Sequence, residues 1–402
     1  MEPEPLFDAA LALLGEVGDI IAERVELPVE PAWCRARELG PFLRRLDDAA
    51  LERAEREGLD ALLVGDGDRP AQVPPALVAL ATRLRPLTAL PPLVPDAGAG
   101  EAARSVGARK RAQLAALAAL CGPLAARAER IVDVGAGRGH FTRLAAAEFD
   151  KPAVGLERDP ARVARARALT GRADVRFEVV DVTAGTLALA PGDLAIGLHA
   201  CGELGDELVR AAAAARVGLV LVGCCAQKIR GPARVALSRR GGGFALGREI
   251  LGLGNLRPRA EGVESSLAEC LASRERRYAL RRLLLGRGLA VAAGAEMQGL
   301  NRRRARQPFA VLAADALGLR GLAPADAAEL ARHEAAARHE HGVIRRLSLP
   351  RALCGRLLEA TIALDRACFL REQGLRARLG TLCSDAVTPR NLAVVAGPSR
   401  EQ

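Results

Sequence analysis

The stretch "HACG" at 199–202 and the stretch "GCCAQKI" at 223–229 bring together a histidine, three cysteines and a lysine, in a chain that has only nine cysteines and three lysines. An imidazole and an ammonium suit general-base and orienting work. Three thiols and an imidazole are also a zinc donor set. Cys224 and Cys225, however, are adjacent and poorly placed to ligate together, and the two stretches sit on separate rigid strands, so no metal is expected. Cysteine serves equally well as a small buried hydrophobe. The expected catalytic pair is His199, as general base or orienter, and Lys228, polarising the acceptor. The lysine count supports this: arginine outnumbers lysine 55 to 3, and a compact, titratable ammonium differs from a guanidinium. Lys110, Lys151 and Lys228 persist, with Lys151 reading as an ordinary turn residue.

A second constellation lies upstream. "RIVDVGAGRGHF" puts Gly135, Gly137 and Gly139 between an apolar run and a helix, where glycine lets the backbone turn sharply and approach a ligand. The spacing is G-x-G-x-G, with His140 where a dinucleotide fingerprint would carry its last glycine. Asp133 precedes the first glycine, Glu157 ends the next apolar run and Asp181 follows the third, 24 residues apart each time. Three carboxylates delivered to one crevice suit an ammonium and sulfonium, the two hydroxyls of a ribose and an adenine amino group. That set matches S-adenosylmethionine better than a dinucleotide. The bland alternative has these acids capping helices or loops, or ending a strand in solvent.

The elements that must position these residues follow from periodicity. "RIVDVG", "PAVGLE", "VRFEVV", "DLAIGLH" and "VGLVLVG" are strands, separated by helices near 139–149, 159–170 and 203–216. Right-handed crossovers then give an α/β, Rossmann-like doubly wound sheet with its crevice at the strands' carboxyl ends. Residues 1–104 are expected to be a helical N-terminal region, ended near residue 100 by the linker "ALPPLVPDAGAG". The core spans 105–232, a mostly helical insertion 233–345, and a C-terminal helix with strands completing the core 346–402.

The totals set bounds. Half of the 402 residues are hydrophobic, the composition of a globular chain with an ample core. The net charge of +10 points toward phosphates, but the arginine and alanine excess looks like GC-rich coding drift and lowers that weight. Nine unpatterned cysteines are expected to be reduced thiols in the cytoplasm. The acidic start lacks a signal peptide's basic region, and no apolar stretch reaches the roughly 18 residues of a membrane span.

"GARKRAQL", "GAGRGH", "LHACG" and "CCAQK", followed by "LDRACFLREQG" and "SDAVTPRNLAVVA", resemble the motifs of a methyltransferase-domain family. It is the family that includes eukaryotic methyltransferase-like protein 25, and it is distantly similar to tRNA 2′-O-methyltransferases of the acceptor stem. The resemblance covers about 105–230 and 360–397. It implies a class I S-adenosylmethionine methyltransferase. Ala226 stands where relatives carry tyrosine, and Ala112 and Gln113 replace a histidine–glutamate pair. Losing an aromatic that could stack a flipped base weighs against base methylation.

The leading expectation is methyl transfer to a macromolecular acceptor, with RNA slightly preferred over protein. A non-catalytic S-adenosylmethionine-binding scaffold is the alternative from another class, and a dinucleotide oxidoreductase ranks last. Oligomeric state is not legible.

Overall fold

The computed structural model describes residues 2–27, 29–63, 72–94, 107–255, 267–385 and 387–398. Its strands are β1 (Arg130–Val134), β2 (Ala153–Glu157), β3 (Val175–Val179), β4 (Asp193–Leu198), β5 (Gly218–Val222), β6 (Ala233–Val235), β7 (Ala245–Gly247), β8 (Leu375–Thr381) and β9 (Leu392–Pro398). Seven of them form one sheet in the order β3-β2-β1-β4-β5-β9-β8. β1 to β5 are mutually parallel, whereas β9 runs antiparallel to β5, and β8 antiparallel to β9. The strand order reverses between β1 and β4, and in such sheets ligands bind outside the carboxyl ends at that point. This is the expected Rossmann-like doubly wound α/β sheet.

The inner strands read as unbroken apolar runs because both faces are covered; all five residues of β2, for example, are buried. Helices Ala108–Ala125, His140–Phe149 and Pro160–Ala168 cover one face. The other carries helices Glu203–Ala215 and Leu349–Glu372, and the N-terminal helices join the same core: Phe7, Leu13 and Trp33 pack in one cluster with Leu357 and Val394. The segment 267–347 has its own small core around Leu283, Phe309 and Leu312.

The structure adds detail at both ends of the C-terminal half. The insertion is not helical from its start, since β6 and β7 form an antiparallel hairpin whose turn uses positive φ at Gly242 and Gly243. The tail supplies the last strands, β8 and β9, as expected. β8, "LRARLGT", alternates buried leucine with exposed arginine at the sheet's edge and so lacks a continuous apolar run. Part of the proline-rich linker also joins the sheet: the Leu93 amide donates to the Thr381 carbonyl at 2.9 Å. Its end near residue 100 lies outside the described residues.

The "LDR" motif ties this scaffold to the site. Asp365 is 1% exposed and accepts from the Leu237 amide at 2.9 Å, the Ser238 hydroxyl at 2.7 Å and Arg234 Nη2 at 2.8 Å. Arg366 Nε donates to Asp206 at 2.8 Å and its Nη2 to the Gly202 carbonyl at 2.9 Å. Arg234 closes the circuit with Asp206 at 2.9 Å. Buried charges are tolerated only when so paired and hydrogen-bonded.

Candidate active site

The glycine loop forms because β1 must turn within a few residues into helix His140–Phe149. Gly135, Gly137 and Gly139 all have positive φ, at 77°, 60° and 69°, a region costly for L side chains. Each glycine is required for its own reason. A Cβ on Gly139 would lie 2.3 Å from Phe177 Cζ, whereas one on Gly137 would meet nothing closer than the Gly135 carbonyl at 4.0 Å. The space above Gly137 is therefore open to a ligand approaching the backbone.

One of the three expected acids sits directly at this loop, and a second is buried in the strand before it. Glu157 ends β2 at 7% exposure; its Oε2 accepts from the Gly137 amide at 3.0 Å and its Oε1 from the Asp159 amide at 3.1 Å. Each carboxylate oxygen keeps a second lone pair. Asp133, in β1, is buried and accepts from Thr142 Oγ1 at 2.6 Å. Burial pushes its carboxyl up to about 6, against the Thr142 bond and the Lys110 charge. Asp181 sits apart, exposed on the surface. It caps the turn Val182–Ala184 through the Thr183 amide and hydroxyl, and pairs with Arg230 at 3.0 Å. This third acid thus makes the capping bonds that the bland reading assigned to it.

The second constellation converges as well. β4 and β5 are neighbours in the sheet, so the turns after them meet. A Cβ on Gly202 would lie 2.1 Å from the Lys228 carbonyl oxygen, and that oxygen accepts from the Glu203 amide at 3.0 Å. His199 adopts φ 63°, left-handed for a non-glycine residue. Its Nδ1 is buried without a hydrogen-bond partner among the described residues. Burial, joined by the charges of Lys110, Arg109, Arg390 and Lys228, pushes its pKa down to about 4. The imidazole is therefore neutral across physiological pH.

The cysteines depart from expectation. Cys201 and Cys224 form a disulfide with Cα atoms 5.5 Å apart, where nine reduced thiols were expected; adjacency of β4 and β5 closes a 23-residue separation in sequence. Cys225 is also close: the sulfurs of Cys201, Cys224 and Cys225 all lie within 4.8 Å of one another, although sequence adjacency suggested that Cys224 and Cys225 diverge.

The lysine reading divides in two. Lys228 is exposed, and its backbone makes the contacts just described. Lys110, in the first turn of helix Ala108–Ala125, is the charge that acts on both Asp133 and His199, and burial holds its own pKa below the usual range. Arg390 completes the wall, with Nη1 at 3.7 Å from Cys225 Sγ. Sequence reasoning left Lys110 and Arg390 out of the site. The three-lysine signal and the "PRN" motif both pointed at them, but only the packed helix and the β9 loop reveal the proximity.

Residues 109–232 match the family model of a methyltransferase domain, and S-adenosylmethionine is the cofactor such a domain takes. Among solved structures, the chain is similar to the amino pentose methyltransferase CalS10 of Micromonospora echinaspora, at 29% identity over 28% of this chain and 49% of that one, with a TM-score of 0.23. An S-adenosylmethionine-dependent methyltransferase from Mesorhizobium loti is 23% identical over 35% and 66%, with a TM-score of 0.24. Coclaurine N-methyltransferase, solved with N-methylheliamine and SAH, is 14% identical over 53% and 62%, with a TM-score of 0.25. The chain spans about half the length of the first solved structures it matches.

Proposed function

We propose that this protein transfers a methyl group from S-adenosylmethionine to a macromolecular acceptor, RNA in preference to protein. The observation that carries the donor half is the open space above Gly137, with Glu157 bonded to its amide. The donor set fits the cofactor: backbone that admits close approach, a Glu157 carboxylate for the ribose hydroxyls, and a buried Asp133 carboxylate for the ammonium. Gly135 and Gly139 shape the loop. Asp181 would accept from the adenine amino group at the rim, sharing its carboxylate with Arg230 and the turn it caps. When bound, the cofactor supplies a methyl group on an activated sulfonium.

The chain's own part is alignment and one proton. His199, neutral above about pH 5, can accept the acceptor's proton through Nδ1, the atom without a partner among the described residues. Lys228 orients the acceptor atom from the facing turn. Alignment in a near-attack geometry accounts for much of such a reaction's acceleration. Tritiated methyl transfer to fractionated cellular RNA and protein tests the reading. Label in RNA supports it, and label confined to protein overturns the acceptor assignment.

A pH dependence follows from Asp133. Its carboxyl is charged above about pH 6, so affinity for S-adenosylhomocysteine, which carries the same ammonium, is expected to fall about tenfold between pH 7 and pH 5. Calorimetric titrations across that range measure it; constant affinity would remove Asp133 from the ammonium contact. The sign for stability is opposite. A carboxyl raised above its ordinary value favours the folded state at low pH, and that contribution is lost as pH rises through about 6.

A further inference from the structure

A cleft of about 350 Å³ separates the N-terminal helices from the helical segment 267–347. Five arginines and three glutamates line it, and His341, held down to about 4 by burial and by Arg274 and Arg345, adds no charge. Three pairs account for the glutamates: Arg24–Glu249 at 2.7 Å, Arg277–Glu296 at 2.5 Å and Arg281–Glu26 at 3.3 Å. The lining is left with a positive excess. Drift toward arginine explains cations in solvent, but not a buried one at the floor.

Arg351 is that residue. It is 6% exposed, and its Nε donates to the Ile21 carbonyl at 3.1 Å; no carboxylate lies within 4 Å of it among the described residues. It stands in the first turn of helix Leu349–Glu372, just after helix Ala327–Leu347 ends at Ser348. Ser348, the N-cap of that helix, makes no side-chain capping bond and lines the same cleft. Burial and the Arg24 charge hold the Arg351 pKa down to about 10, a cost that a bound anion would relieve. A guanidinium fork and a hydroxyl facing one cationic cleft make a phosphate site.

The location defines the ligand. Helix Leu349–Glu372 carries Arg351 into the cleft and, fifteen residues later, Arg366 onto the Gly202 carbonyl beside His199. At 1.5 Å per residue the two lie about 22 Å apart. A small phosphorylated metabolite cannot reach both, whereas a polynucleotide can. The cleft also adjoins a wider hollow lined by Arg24, Arg248 and Arg281 against Glu26 and Glu249, which keeps a small positive excess along the way.

We propose that this cleft is a phosphate-binding site that holds the backbone of the RNA acceptor at a distance from the methylated atom. The proposal rests on the RNA reading given above. It is tested by fluorescence anisotropy with a labelled 20-nucleotide RNA on the full chain and on Arg351→Gln, with S-adenosylhomocysteine calorimetry to verify the fold. RNA affinity is expected to fall at least tenfold, and the slope of log affinity against log salt to shrink by about 0.7 for the lost phosphate contact. Donor affinity should stay within twofold. Should Arg351→Gln fail to fold, Arg281→Gln at the cleft's wall serves in its place, with the same expected direction. An unchanged affinity and slope in a folded variant would overturn the cleft while leaving the RNA reading intact. No RNA binding by the unmodified chain, or preferred binding of a polyglutamate peptide, would overturn both.

Discussion

His199→Ala is expected to slow methyl transfer by roughly 10² or more while leaving affinity for S-adenosylhomocysteine within about threefold. The residue ends the strand next to β1 in a left-handed conformation, with a neutral ring and an unpartnered Nδ1 among the described residues. Strain of this kind persists only where the surroundings enforce it. Because His199 titrates near 4, the rate should show no limb attributable to it between pH 6 and 9. Lys228→Arg should be defective in the same assay, since a planar fork replaces a compact ammonium. The variant is a clean one, because the structural contacts at 228 come from the backbone carbonyl. A packing role for His199 would instead lower thermal stability and donor affinity together, with the rate per folded molecule nearly intact.

Asp365→Ala is expected to destabilise the fold by about 3–5 kcal/mol, because it strips one partner from a buried charge network. Arg234 would lose one of its two carboxylates, and the amides of Leu237 and Ser238 would lose their acceptor. The Arg366 link to Gly202 loosens with it, so the catalytic turns lose support from the helix behind them. Urea unfolding followed by circular dichroism measures the loss. A change below about 1 kcal/mol would mean that the network contributes little, as buried ion pairs sometimes do.

How much of this was legible in the sequence depends on which physical signal each feature carries. β1 to β5 announce themselves as apolar runs closed by turn residues, because a parallel sheet buries both faces. The glycine loop is legible through backbone demands alone: Gly139 admits no Cβ beside Phe177. Glu157 and Asp133 follow from strand ends. Asp181 does not, because a residue after a strand can cap a turn as readily as it can face a crevice. Lys110 and Arg390 approach His199 only through the packing of helix Ala108–Ala125 and of the β9 loop, which no local pattern encodes. The disulfide has the same origin, since it depends on β4 lying beside β5. The cationic cleft is the least legible, because its five arginines come from three segments far apart in sequence and are lost among 55.

The central claim is that the glycine loop and Glu157 hold S-adenosylmethionine, and calorimetric titration with S-adenosylhomocysteine tests it most directly. The unmodified chain should bind one equivalent. Gly137→Val, which fills the open space and strains a positive φ, should abolish binding. Glu157→Ala should weaken it by roughly 1.5–3 kcal/mol, the worth of a hydrogen bond to a charged group. The same affinity in all three proteins would contradict the account.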